Sequence, residues 1–265
     1  MPFTVSHVAA ALPMRRSRLV LSAVVVGTMA PDFEYFVRLS PGGGWGHTIA
    51  GAFCLSLPLG LVVLWLFHRY ARLPMVALLP QGLECRLGPY LQPFRFRGRF
   101  LLILVSLLAG IATHLAWDSF THPHTWLYHH WDFLRGRVPM PLIGHMRTYK
   151  FLQYLSSVGG LLVLAVWFLH WYRDTPPGPQ PLQATFSPSQ KALIVAAMLA
   201  LSTAGGFLRG FERYGIPRSP VLMEDFAGDM IVTMGALLWW QLVAWGVLLR
   251  SRATSLIGPA EPIAR

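Results

Sequence analysis

The stretch FLLILVSLLAGIATHLAWDSFTHPH, residues 100–124, decides how the chain is read. Its first eighteen positions carry no formal charge, close to the ~20 apolar residues a helix needs to cross a bilayer. Asp118 then ends the apolar run, and Pro123 marks a chain leaving the helix. His114 and Asp118 are four apart, so on a helix they share one face. His122 and His124 follow within two turns. An ionisable pair at the end of a membrane-length helix is a functional-site hypothesis by default.

Composition agrees with a membrane protein. Of 265 residues, 54% are hydrophobic and only 12% charged, against about 25% charged in soluble domains. The net charge of +11 would ordinarily suggest nucleic acid. Here the arginines cluster in short segments flanking apolar runs, as membrane anchors do, so no nucleic-acid partner is expected. Cys54 and Cys85 give no disulfide framework. Residues 1–30 make a poor secretory signal, because the basic cluster Arg15-Arg16-Ser17-Arg18 follows an apolar piece instead of leading it.

The expected fold is all-α: a polytopic membrane helical bundle in one integral domain, residues 1–265, of about five spanning helices. Residues 1–30 read as an N-terminal helical hairpin, since residues 19–30 are too short to cross. One long tilted span is the alternative. The spans are residues 49–67, 100–117, 151–170, 191–208 and 230–249, and residues 250–265 read as a disordered tail. Residues 69–99, 118–150 and 209–229 read as loops. The length and aromatic content of the loop 118–150 favour order at the membrane interface. Arg and Lys divide equally between the two faces, so the positive-inside rule gives no orientation. That topology does place Asp32, His47, His122 and Glu224 on one side.

The same side collects His7, Asp32, Glu34, His47, His114, Asp118, His122 and His124. Imidazoles and carboxylates together form the ligand set of Zn²⁺ or a similar divalent ion such as Mn²⁺. The i,i+4 pair supplies two ligands from one rigid turn. Each residue alone has a plainer alternative. His47 fits a loop, Asp32 fits a turn after Pro31, and Asp118 fits a hydrogen bond to His114. Co-location on one side favours the joint site. Asp32 or Asp118 would ligate or bridge, and Glu34, if not a ligand, would be the general base. Arg147, Arg209 and Arg213, with His124, are candidate substrate contacts, suited to phosphate. Interfacial anchoring is the other reading of those arginines. Asp229, at the start of the last span, is the acid to test in the C-terminal half.

Several motifs carry a family resemblance. They are Met1-Pro2-Phe3-Thr4 with Ser6-His7, Pro31-Asp32-Phe33-Glu34-Tyr35-Phe36, Gly46-His47-Thr48, and His114-Leu115-Ala116-Trp117-Asp118-Ser119-Phe120-Thr121-His122. In combination they resemble the bacterial membrane family of domain of unknown function 4184. More distantly, the order His, Asp, His, His-x-x-x-Asp, His is similar to that of membrane-bound metal-dependent hydrolases and of the zinc-dependent phospholipase C and S1/P1 nuclease group. That resemblance implies His7, Asp32, His47, His114, Asp118 and His122 as metal ligands, and the bacterial cytoplasmic (inner) membrane as location. The chain departs from the soluble group in two places. It lacks an N-terminal ligating Trp, and His145 is followed four later by Tyr149 where that group has Glu. One or two ions, most readily zinc, are therefore expected instead of three.

The function expected is a metal-dependent hydrolase of a lipid or lipid-linked phosphoester at the membrane surface. The alternatives are an ion- or proton-coupled transporter and a non-catalytic membrane protein with a structural His/Asp metal site. The oligomeric state is not legible.

Overall fold

A computed structural model describes residues 3–141, 144–178 and 186–256. The chain is all-α and membrane-spanning. Five helices are long and apolar enough to cross a bilayer: Ile49–Ala77, Phe100–His130, Thr148–Asp174, Pro188–Tyr214 and Pro220–Arg250. It packs as two compact units, one of Met1–Tyr35, Gly42–Leu64 and Arg95–Thr175, the other of Phe36–Pro41, Trp65–Phe94 and Pro176–Arg265.

The first unit is built on α1 (Leu21–Gly27) and the long helix α5 (Phe100–Thr121). Before α1 lies a 3-10 turn, Thr4–Ala11, and after it another, Ala30–Asp32, then α2 (Phe33–Arg38). The spanning helix α3 (Ile49–Ala77), which belongs to this unit as far as Leu64, is capped by Thr48, whose hydroxyl accepts from Gly51 N–H. Two glycines set how closely α1 and α5 approach. A Cβ on Gly27 would lie 2.3 Å from the Leu107 carbonyl oxygen, and one on Gly110 would lie 2.3 Å from that of Val24. Only hydrogen fits on either side, and in lipid such close backbone packing replaces the missing hydrophobic drive between helices. Ser106 Oγ accepts from Val20 N–H at 2.9 Å and pins the start of α1 to the same helix. Val24, Ile103, Leu107 and Ile111 are fully enclosed around this contact.

The remaining elements close the first unit. After α5 come the short helices α6 (Trp126–His130) and α7 (Asp132–Arg135) and an antiparallel hairpin of β1 (Arg137–Met140) and β2 (Gly144–Arg147). Helix α8 (Thr148–Asp174) then crosses with mostly lipid-facing apolar side chains. Gly160 of α8 meets the Ser6 backbone, which holds the N-terminal turn in place.

The second unit contains α4 (Gln81–Leu87), α9 (Pro188–Tyr214) and α10 (Pro220–Leu256). Ser187 and Gln190 form a capping box at the start of α9. Its small stripe Ser202, Gly206 and Gly210 faces α10, with Gly210 against the Phe226 ring. Gln241 donates to Ser202 Oγ at 2.7 Å.

The spans run longer than expected from hydropathy. The helices continue past the apolar windows into more polar sequence, so α3 reaches Ala77 and α9 begins at Pro188. The expected tail beginning at 250 is corrected in part: α10 continues to Leu256, and residues 257–265 lie outside the described residues. The segment 118–150, read as a loop, holds the end of α5, two short helices and the hairpin.

Candidate metal centre

The His/Asp cluster forms within the first unit, and local structure explains how each member arrives. Asp118 lies one turn beyond His114 near the end of α5. His122 is the first residue past the helix, in extended conformation before Pro123. Asp32 ends the 3-10 turn that follows α1. His7 sits in the 3-10 turn Thr4–Ala11 and stacks on His114 with ring centroids 4.0 Å apart. His47 comes from the glycine-rich loop before α3. Asp32 and His114 are wholly buried, and His7 and Asp118 nearly so.

Four atoms converge. His47 Nε2 lies 3.3 Å from Asp32 Oδ1, 3.3 Å from Asp118 Oδ2 and 3.3 Å from His114 Nε2. His114 Nε2 lies 3.2 Å from Asp118 Oδ2 and 3.6 Å from Asp32 Oδ1. A tetrahedral zinc site with bonds of 2.0–2.1 Å has ligand-to-ligand edges of about 3.3 Å. These five separations, 3.2–3.6 Å, lie close to that edge.

The outer contacts aim these atoms inward. His114 Nδ1 is 2.8 Å from the Thr28 carbonyl oxygen, which can only accept. The proton therefore sits on Nδ1, and Nε2 presents its lone pair to the cluster. Thr4 Oγ donates to Asp32 Oδ2 at 2.6 Å and leaves Oδ1 facing the imidazoles. Tyr35, nearly buried, stacks on His47 and places its hydroxyl 3.5 Å from Nδ1. Such second partners of ligating histidines and carboxylates fix ring orientation and tautomer.

The other side of Asp118 faces a second group. Its Oδ1 lies 3.4 Å from His7 Nε2 and 3.7 Å from His122 Nδ1. Asp118 thus places one oxygen toward His47 and His114 and the other toward His7 and His122. Both ring nitrogens of His7, Asp32 Oδ1 and Asp118 Oδ2 are buried without an aligned hydrogen bond. Short separations without hydrogen-bond alignment are costly for buried lone pairs unless a cation lies between them. On these observations the residues fit a divalent ion.

The two buried carboxylates draw positive charge into the cluster. Burial disfavours a charged His47, but Asp118 and Asp32, each 3.3 Å away, prevail and raise it to about 9, so an ion entering there would displace a proton from His47. Burial, reinforced by neighbouring His114, lowers His7 to about 4, so it stays neutral and available as a ligand. Burial also pushes the Tyr35 phenol well above its usual range, keeping it a neutral hydroxyl.

The remaining candidates lie elsewhere. Glu34 is buried, and its Oε2 accepts from Gly46 N–H at 2.9 Å, on the loop leading to His47. His124 is exposed. Arg147 stands on the hairpin and donates to the Arg135 carbonyl. Arg209 pairs with Glu212, while Arg213 pairs with buried Asp229 and donates to Ser40 Oγ, all in the second unit. Asp229 is inside α10, more than two turns from its start, instead of capping it. Thr4, Thr28 and Tyr35 were not singled out from sequence. Thr4 and Tyr35 are within the motifs that carry the family resemblance, but Thr28 acts through its backbone and leaves no sequence signal.

No curated protein and no solved structure matches the chain. Residues 1–247 match the family described as Domain of unknown function (DUF4184), a span that takes in every residue of the cluster, and the chain belongs to that family.

Proposed function

We propose that the protein is a membrane-bound, metal-dependent hydrolase acting on a lipid or lipid-linked phosphoester at the surface of the bacterial inner membrane. The observation that carries this reading is the convergence of His47, His114, Asp32 and Asp118 with edges of 3.2–3.6 Å in a buried setting at a helix end. Those four residues would hold the first ion, with zinc the best match to the donor set and manganese the next. His7, His122 and Asp118 Oδ1 would hold a second.

A divalent ion supplies Lewis-acid polarisation of a phosphoryl oxygen and lowers the pKa of a bound water. The chain's own part is to hold and orient. Asp118 faces both groups, Thr4 fixes Asp32, and Thr28 and Tyr35 fix the two imidazoles. Access is from the side of His47 and His122, whose side chains are 18% and 22% exposed while His114 and Asp32 are closed off. A purely structural site would have a closed ligand shell, so the partial opening favours catalysis over a structural metal. Membrane spans on the same unit bring a lipid substrate to the site by lateral diffusion instead of from bulk water.

The test is elemental analysis of detergent-purified wild type beside His114→Ala and Asp118→Ala, followed by assays of phospholipid and phosphoester hydrolysis. The expected result is about one or two equivalents of divalent metal in wild type, lost in both variants together with at least ~100-fold of any hydrolysis. A folded wild type that takes up no Zn²⁺ or Mn²⁺ would overturn the reading.

A further inference from the structure

The hairpin after α7 carries an arrangement that the metal centre does not explain. In the β1–β2 register, Arg137 stands directly opposite Arg147, and Pro139 opposite His145. These four alternate with half-buried Val138, Met140 and Met146, so both arginines share the exposed face. Like charges directly opposite across an antiparallel pair are destabilising. Among the described residues Arg137 has no ionic partner, and the Arg147 guanidinium donates to the Arg135 carbonyl instead of to an acid. The one acid nearby, Asp132, is taken by Arg135. Lys150 adds another positive charge at the start of α8.

The surroundings are apolar and exposed. Trp126, Trp131 and Phe133 are 70%, 46% and 56% exposed on α6 and the segment through α7. Trp131 packs edge-on against Phe120 of α5 and beside Phe133, so the patch is continuous with a spanning helix. Because the segment joins the ends of two spans, it lies at the membrane surface. Aromatic side chains flanking arginines are the composition of the headgroup layer. Paired guanidinium groups suit a phosphate by parallel N–H donation.

We propose that this hairpin face is a docking surface for the phosphate of an anionic phospholipid headgroup, with Arg137 and Arg147 on the phosphate and Trp131 and Phe133 in the layer beneath. The lipid removes the repulsion between the two arginines, and the aromatic residues explain why it is a membrane lipid instead of a free anion. The surface is independent of any metal, so its fate does not depend on the hydrolase reading.

The test titrates dioleoyl phosphatidylglycerol into wild type in a neutral maltoside detergent while melting is followed. Dioleoyl phosphatidylcholine and inorganic phosphate are the comparison arms. Phosphatidylglycerol should raise the melting temperature at concentrations where the other two do not, and added salt should weaken the effect. The Arg137→Gln/Arg147→Gln pair should shift the phosphatidylglycerol midpoint upward by roughly fivefold per arginine removed. Arg15→Gln/Arg16→Gln, a basic pair elsewhere on the same unit, should shift it less than the hairpin pair does. An equal response to phosphatidylcholine, an equal response to phosphate alone, or an unshifted double variant would each overturn the proposal. Should the double variant melt early without lipid, Arg137→Gln alone, at the unpartnered arginine, carries the same comparison.

Discussion

Glu34 shows how one side chain's neighbours change its role. From sequence it reads as a general base beside Asp32. In the structure its carboxylate grips the loop that delivers His47. Oε2 accepts from Gly46 N–H, and the Gly46 carbonyl accepts from Ser56 Oγ at 3.1 Å, so that residue is held on both sides. Gly43 adopts φ +154 and presses on the same carboxylate, where a Cβ would lie 2.5 Å from Oε1. A base needs its lone pairs free toward the reacting proton, and one of these is spent on the loop. Glu34→Gln keeps an acceptor oxygen of the same reach and should retain wild-type metal content and, within a few fold, wild-type hydrolysis. Glu34→Ala releases the loop and should lower metal affinity by about 10–100-fold, the usual cost of losing an outer partner. Metal titrations of the two variants side by side check this. Full metal content with hydrolysis abolished in Glu34→Gln would restore the base.

At the level of elements, the second unit is held by buried charge as well as by its glycine stripe. Lys191, near the start of α9, pairs with Glu84 of α4 and donates to the Leu79 carbonyl at 2.9 Å. Glu84 is wholly enclosed and Lys191 nearly so. Removing one partner of such a pair strands a charge and costs about 3–5 kcal/mol, whereas replacing both with apolar groups is often neutral. Glu84→Leu alone should therefore melt well below wild type, and Glu84→Leu/Lys191→Met should recover most of the loss. Equal melting of single and double variants would show that the pair contributes nothing. Hydropathy gave no sign of this pair, because both residues sit in segments that read as loop or span boundary. The existence of the long helices was legible, since runs of apolar residues dictate them. Their ends were not, because the helices continue past the apolar runs into polar sequence. The β1–β2 hairpin was also hidden: four-residue strands with Arg and Pro in them carry little alternation to read.

Across the whole molecule, the cluster ties together segments far apart in sequence. His7, Asp32, His47 and the trio His114, Asp118 and His122 at the end of α5 come from four separate pieces of chain. Their grouping was legible because topology sends all four pieces to the same helix ends. Their geometry was not, since it depends on Gly27 against Gly110 and on backbone contacts such as Thr28 to His114. An ion bound there cross-links the first unit and adds stability by mass action, about 2.7 kcal/mol at a hundredfold excess over its dissociation constant. The second unit, with α9 packed on α10, contributes none of the six residues. Chelation should therefore act unevenly. In hydrogen exchange of the detergent-solubilised protein, stripping the metal should raise exchange in residues 4–48 and 106–122. The α9–α10 pair should keep its protection, and restoring Zn²⁺ should reverse the change. Uniform loosening of both units, or no change on chelation in a protein shown to hold metal, would contradict a cross-linking role. The ion would then be a ligand of an already rigid pocket, held by the glycine-mediated packing of α1 on α5 alone.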